Sequence, residues 1–193
     1  MNNELQFGIQ TNGIKHTHLD PMPDIDHRFS MVKEAKVFDY VDKTPEIEEI
    51  DLFLKASKKY KIPIKAGGWF YTVGEHKSLL KKNLLTAQNL GSTVHNTQIQ
   101  AINSEGNLVT NSEVRDVYLE AYDMGLKLGV TPCFEVHVNM WSEDFLRVSE
   151  VGNIVEEKGV EFNITLDHSH VIFKINNPKE QKIYNTEEKI LAG

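Results

Sequence analysis

The sequence predicts an α/β protein built on a parallel β-sheet, and three observations support this fold class. Apolar runs typical of buried strands alternate with helical patterns six times along the chain. Several helical patterns end at a glycine, which readily adopts the left-handed backbone that follows a helix. The 193 residues, 40% of them hydrophobic and 25% charged, suit one globular domain with a substantial core. Strand–helix units repeated in this way place their strands parallel to one another.

The predicted elements follow one another with short connections. The predicted strands span residues 5–10, 37–41, 62–66, 93–99, 130–138 and 161–166, and the third ends at Gly67-Gly68. The predicted helices span residues 29–35, 46–59, 75–90, 112–128 and 142–157, and a further helical pattern lies towards the end of residues 176–191. Ser112 and Ser142 are the predicted N-caps of their helices, because a serine hydroxyl can accept a hydrogen bond from the first turn.

Two architectures are compatible with this order of elements. An open, doubly wound sheet that binds a nucleotide should carry a glycine-rich turn after its first strand, and residues 10–15 lack that pattern. A (β/α)8 barrel usually needs about 200–250 residues, so six units amount to about three quarters of one. Right-handed crossovers are expected in either case.

Composition and charge exclude several classes of protein. The formal net charge of −7 disfavours nucleic acid, whose phosphates require lysine and arginine. The single cysteine, Cys133, excludes an intrachain disulfide and is consistent with a reducing, cytoplasmic location. Residues 1–6 lack a signal-peptide pattern, and the sequence has no apolar run of the ~20 residues that a membrane span requires.

Two motifs of carboxylates and imidazoles follow the last two predicted strands. Glu135 and His137 lie two residues apart and therefore share one face of a strand. Asp167 and His170 follow the next apolar run. In parallel α/β proteins the C-terminal ends of the strands carry the chemistry. Carboxylate and imidazole groups gathered there predict a divalent-metal site.

Other residues carry weaker indications. Trp69 is a candidate apolar wall for a sugar, and its alternative role is packing. His95 is either a site residue or a core histidine, and Asn139 is a candidate for the mouth of the site. His16, His18 and His27 fall in a polar segment and are expected to be solvated. For two further residues we expect structural roles: Cys133 as a small buried hydrophobe and Glu143 as an early-helix acid.

These motifs resemble those of the xylose isomerase-like TIM-barrel superfamily, which includes sugar and sugar-phosphate isomerases and epimerases. The segment 32–42 is similar to a first helix running into a second strand that ends in an acidic residue. Glu135-Val-His137 is similar to the metal glutamate of the fifth strand, and Asp167-His-Ser-His170 matches the Asp-x-x-His of the sixth. The resemblance covers most of the chain.

The resemblance implies a single (β/α)8-type barrel domain over residues 1–193 that lacks its last two strand–helix units. It implies that Glu135 and Asp167 bind a divalent metal, namely Mn, Mg, Co or Zn, and that Glu135 is also the catalytic base. His137, His170 and Trp69 would contact the substrate, a small carbohydrate. The family's remaining histidine and glutamate ligands would lie beyond Gly193, so the chain alone is expected to be weak or inactive.

Two alternatives to an isomerase or epimerase remain at this point. One is a non-catalytic barrel fragment, or one that needs a complementing segment. The other is an endonuclease IV-type metal nuclease, which the charge and the absence of a third-strand histidine disfavour. Six parallel strands without closure would leave two open edges, so we expect a homo-oligomer or a complementing segment.

Overall fold

The computed structural model of the protein describes residues 5–14 and 23–170, and in this part of the chain six parallel strands form one sheet. The strands are β1 (Gly8–Gln10), β2 (Tyr40–Asp42), β3 (Ile64–Tyr71), β4 (Val94–Ile99), β5 (Thr131–Val136) and β6 (Ile164–Leu166). Their spatial order equals their order in the chain. A doubly wound sheet reverses its strand order at a switch point, whereas a barrel keeps strands in sequence. The order therefore selects the barrel architecture.

Helices connect the strands; five of the six were predicted, and the short helix directly after the first strand was not. They are α1 (Thr11–Ile14), α2 (Ile25–Ala35), α3 (Ile50–Tyr60), α4 (His76–Leu90), α5 (Asn111–Leu128) and α6 (Phe145–Glu156). Short 3-10 turns cover Ile47–Glu49 and Trp141–Glu143. Gly91 and Gly129 stop α4 and α5 in left-handed conformations, with φ of 77° and 68°.

Both predicted serine N-caps are wrong by two residues. Thr110 caps α5, because its hydroxyl accepts from the Glu113 N–H and the Glu113 carboxylate accepts from the Thr110 N–H. Asp144 caps α6. The Ser142 hydroxyl instead accepts from the His137 N–H and donates to the carbonyl of Glu135, so it fixes the end of β5.

The third strand does not end at Gly67-Gly68 but runs through both glycines to Tyr71. A Cβ on Gly67 would lie 2.9 Å from the carbonyl oxygen of Lys43, and one on Gly68 would lie 2.9 Å from Cβ of Asn96. The close approach of the neighbouring strands therefore requires glycine at both positions. The low strand propensity of glycine instead predicts the end of a strand here.

Alternate side chains of the central strands point either to the helices or to the barrel interior. On β4 and β5 the fully buried residues face the helices, as Ile99 and Phe134 do in the larger apolar core. The intervening residues, including Asn96, Gln98 and Glu135, are half-buried and face the barrel interior. This alternation places polar side chains on the concave face of the sheet.

The two outer strands each pair with a single neighbour within the described residues. Ile164 and Leu166 on β6 are 47% and 48% exposed. With Phe145, Val148 and Phe162 they line an apolar groove beside α6. Among the described residues there is no helix long and apolar enough to cross a bilayer.

Candidate metal centre and substrate cavity

A cavity of about 330 Å³ opens at the C-terminal ends of the strands. All five site residues predicted from the sequence line it, namely Trp69, Glu135, His137, Asp167 and His170. Its other lining residues are Gln10, Asp42, Lys43, Thr44, Gly68, Phe70, Asn96 and Gln98. Its volume is in the range of small-molecule sites.

Glu135 projects from β5 into this cavity with one carboxylate oxygen engaged. Gln98 on β4 donates from Nε2 to Oε2 of Glu135 at 2.6 Å. Burial raises the pKa of the Glu135 carboxyl, the Gln98 hydrogen bond opposes that rise, and the charges of Asp167 and Asp42 add to it. A half-buried carboxylate among other acids would be stabilised by a cation.

His137 lies two residues after Glu135 and faces the same cavity. Its Nδ1 lies 2.7 Å from the carbonyl oxygen of Val138, so Nδ1 carries the proton and donates it. A neutral ring with its proton on Nδ1 carries on Nε2 the lone pair that binds a metal. The ring also makes an edge contact with Phe70, which limits its rotation.

His170 packs against His137 with ring centroids 3.6 Å apart and the two ring planes tilted by 37°. Its Nε2 lies 3.5 Å from Oδ2 of Asp167, while its Nδ1 is buried without a hydrogen-bond partner in the described part of the chain. Burial, together with the neighbouring His137, lowers the pKa of His170. Both effects favour a neutral imidazole, which metal ligation requires.

Three ligand atoms come together in the cavity. One donor atom each from Glu135, His137 and His170 lies within 4.8 Å of the others. Asp167, predicted to be a direct ligand, is outside this compact set. Its Oδ1 accepts from the backbone N–H groups of Ser169 and His170, as a helix N-cap does, and hydrogen bonding to Ser169 lowers the pKa of the Asp167 carboxyl against the effect of burial.

The donor set fits a divalent cation. Two imidazoles and one carboxylate are the ligands of several catalytic zinc sites. The unpartnered Nδ1 of His170 and the raised pKa of Glu135 are both consistent with a cation at this point. Asp167 is then in the position of the carboxylate that orients a metal-binding histidine.

The sequence analysis did not identify Gln98, Asn96 or Gln10 as cavity residues. The period-two alternation along β4 would have placed Asn96 and Gln98 on one face, although it does not say which face is inward. Asp42 was noted only as the acid that ends the second strand. In the structure Asp42 lines the cavity and is hydrogen-bonded to Gln10, and burial raises the pKa of its carboxyl.

His95 does not take part in the cavity. It is fully buried on the helix-facing side of β4, where its Nε2 lies 2.6 Å from the hydroxyl of Tyr71, and Asn83 donates to that same hydroxyl. Burial lowers the pKa of His95 to about 4. Of the two readings of His95, the core histidine is the one consistent with this placement.

The remaining weak candidates are also accounted for where the structure describes them. Glu143 is buried in a 3-10 turn, and it accepts from the Asn139 N–H at 2.7 Å. His27 lies exposed in the first turn of α2. His16 and His18, together with residues 176–191, lie outside the described residues.

No protein-family model matches the chain, and no curated protein matches it in sequence. Solved structures do match. D-allulose 3-epimerase from Methylomonas sp. matches with a TM-score of 0.70 and 12% identity, over 92% of this chain and 68% of that one. A xylose isomerase domain-containing protein from Salmonella typhimurium matches with a TM-score of 0.68 and 15% identity, over 93% and 66%. An IolI protein with a bound zinc atom matches with a TM-score of 0.58 and 14% identity, over 82% and 62%.

These likenesses establish the fold. The chain has the xylose isomerase-like (β/α)-barrel fold, with six parallel units present, as its motifs predicted. It spans about two thirds of the length of these structures.

Proposed function

We propose that this protein is a metal-dependent isomerase or epimerase of a small sugar, sugar phosphate or polyol. The observation that carries the proposal is the convergence of Glu135, His137 and His170 donor atoms in a cavity at the strand ends. The matched structures include sugar epimerases and a zinc-containing protein, which supports the kind of reaction and the kind of cofactor.

In the proposed reaction Glu135 is the base. A divalent cation held by Glu135, His137 and His170 would polarise the substrate oxygens and so acidify the adjacent C–H. The carboxylate of Glu135 takes that proton through the oxygen that Gln98 leaves free. Trp69 contributes a flat apolar surface on which the sugar ring can pack. Asp167 holds the imidazole of His170 in its orientation.

Metal binding is the first test. Titration with Co²⁺ or Zn²⁺, followed by absorption spectroscopy or calorimetry, should give one site per chain. Glu135→Gln and His170→Ala should each weaken that site, whereas His27→Gln, which changes an exposed histidine, should not. Equal affinity in wild type and Glu135→Gln would contradict the proposed ligand set.

The second test is turnover. Incubation of metal-loaded protein with D-allulose and other small ketoses, followed by NMR, should reveal epimer or isomer that Glu135→Gln does not form. A second candidate is a barrel that needs a complementing segment, which is favoured by the exposed apolar residues and single strand neighbour of β6 within the described residues. Tight metal binding without turnover would favour that candidate.

A further inference from the structure

We propose that Asp42 is a second acid–base residue, which acts on the face of the substrate opposite Glu135 and makes the reaction an epimerisation. This inference rests on the proposed function and goes beyond it, because it assigns a residue and a stereochemical outcome. Its basis is that one cavity receives carboxylates from β2 and from β5.

The fold places the two carboxylates on different walls. β2 and β5 are separated by β3 and β4 in a sheet whose strands follow chain order. Because the sheet curves into a barrel, side chains three strands apart that line the same cavity approach it from different directions.

Gly68 lies on β3 between the two walls and lines the cavity without a side chain. A Cβ there would meet Cβ of Asn96 at 2.9 Å, so β3 and β4 approach too closely for a larger residue at this position. The cavity of about 330 Å³ that Asp42 and Glu135 both line is the space for a small ligand.

Asp42 is suited to hold and release a proton. Burial raises the pKa of its carboxyl, while the hydrogen bond from Gln10 and the charge of Lys43 oppose that rise. It is also separate from the compact ligand set of Glu135, His137 and His170.

The proton balance is complete without an added oxidant or reductant. The Glu135 carboxylate takes the proton from the carbon next to a carbonyl, the C–H electrons form a C=C bond, and the carbonyl electrons move to its oxygen. The Asp42 carboxylic acid then gives its proton to the other face of the same carbon, and the carbonyl re-forms. The configuration at that carbon is inverted, and solvent exchange restores both carboxyl groups. In the reverse direction the two residues exchange roles.

Solvent exchange tests this assignment directly. Metal-loaded wild type, Asp42→Asn and Glu135→Gln are incubated in D2O with D-allulose and, separately, with its C3 epimer D-fructose. NMR follows deuterium at C3 and the appearance of the other epimer. Net epimerisation should fall by about 100-fold or more in Asp42→Asn, the usual contribution of an acid–base group. Exchange should persist with one epimer only, and Glu135→Gln should show the opposite preference.

Two controls separate the possible failures. Asp42→Asn should bind Zn²⁺ as wild type does, which excludes a collapsed site, and Asp51→Asn, on the exposed side of α3, should match wild type throughout. Asp42→Glu should recover part of the epimerisation. Wild-type epimerisation in Asp42→Asn would overturn the role of Asp42 and leave the proposed function intact. Wild type that exchanges neither sugar, although it binds Zn²⁺, would overturn the proposed epimerase and this inference together.

Discussion

Asp167 and His170 form an i, i+3 pair in which Oδ2 lies 3.5 Å from Nε2 of the imidazole. The opposite ring nitrogen, Nδ1, is buried without a hydrogen-bond partner among the described residues. Asp167 therefore lies beside one nitrogen of a ring whose other nitrogen has no hydrogen-bond partner in the described part of the chain. In the proposed metal site, Asp167 would be the outer carboxylate that orients a metal-binding histidine.

Asp167→Asn should therefore weaken Zn²⁺ binding by about 10–100-fold without abolishing it, since outer-shell partners typically contribute that much. His170→Ala removes a ligand and should cost more. Calorimetry with both variants would make the comparison. A complete loss of binding in Asp167→Asn would instead identify Asp167 as a direct ligand, as the sequence motif suggested.

The buried His95 should make the protein sensitive to mild acid. Its pKa is about 4 in the folded protein, and an unfolded histidine titrates near 6.5. Between these values the unfolded chain binds more protons, so stability falls as the pH drops through this window, by roughly 3 kcal/mol in total.

Denaturant unfolding across pH 4–7 would measure this effect. His95→Phe should be less stable at neutral pH, because it loses the contact with Tyr71, yet its stability should depend less on pH. His27→Gln should keep the wild-type slope. A wild-type slope in His95→Phe would show that other groups account for the acid sensitivity.

The cap of α5 can be tested with two neighbouring residues. Thr110→Ala removes the hydroxyl that accepts from the Glu113 N–H and should cost about 1 kcal/mol. Ser112→Ala changes an exposed residue inside the helix and should have little effect. Chemical denaturation of both variants would separate the observed cap from the one that the sequence suggested.

Gly67→Ala should destabilise the protein by about 1–3 kcal/mol, the usual cost of forcing a methyl group into a packed position. The new Cβ would collide with the Thr44 hydroxyl and the Lys43 backbone. Gly13→Ala is a matched control, because no described residue lies within 4 Å of its Cβ position. Equal thermal midpoints for the two variants would contradict the close approach of β2 and β3.

The 193-residue chain should self-associate in solution, because β6 presents an apolar surface and an unpaired edge within the described residues. Leu166→Lys should reduce that association, whereas Leu126→Lys, on an exposed part of α5, should not. Sedimentation velocity over a range of concentrations would decide. A monodisperse monomer that binds no apolar dye would favour a fold that closes without a partner.

Much of this fold follows from local patterns, because alternation and glycine stops are properties of neighbouring residues. Six strands in order, the ends of α4 and α5, and the gathering of Glu135, His137, Asp167 and His170 in one cavity were all predictable in this way. The length of β3 was not, since the role of Gly67-Gly68 depends on strands distant in sequence.

The same limit applies to the site. The sequence does not reveal that the Nδ1 of His137 is occupied by the Val138 carbonyl, or that Gln98 engages one oxygen of Glu135. The sequence also did not determine whether His95 faces the cavity or the helix-side core. These contacts depend on the curvature and register of the sheet, which one strand taken alone does not encode.

The position of Cys133 has a practical consequence. It is the only cysteine of the chain, it is half-buried, and it precedes Glu135 by two residues on the same face of β5. Burial raises the pKa of its thiol, so reaction with a thiol reagent should be slow at neutral pH. An alkylating dye would thus label the chain at this one position inside the barrel. The rate of labelling would measure how often the interior becomes exposed to solvent, and the measurement needs no substrate.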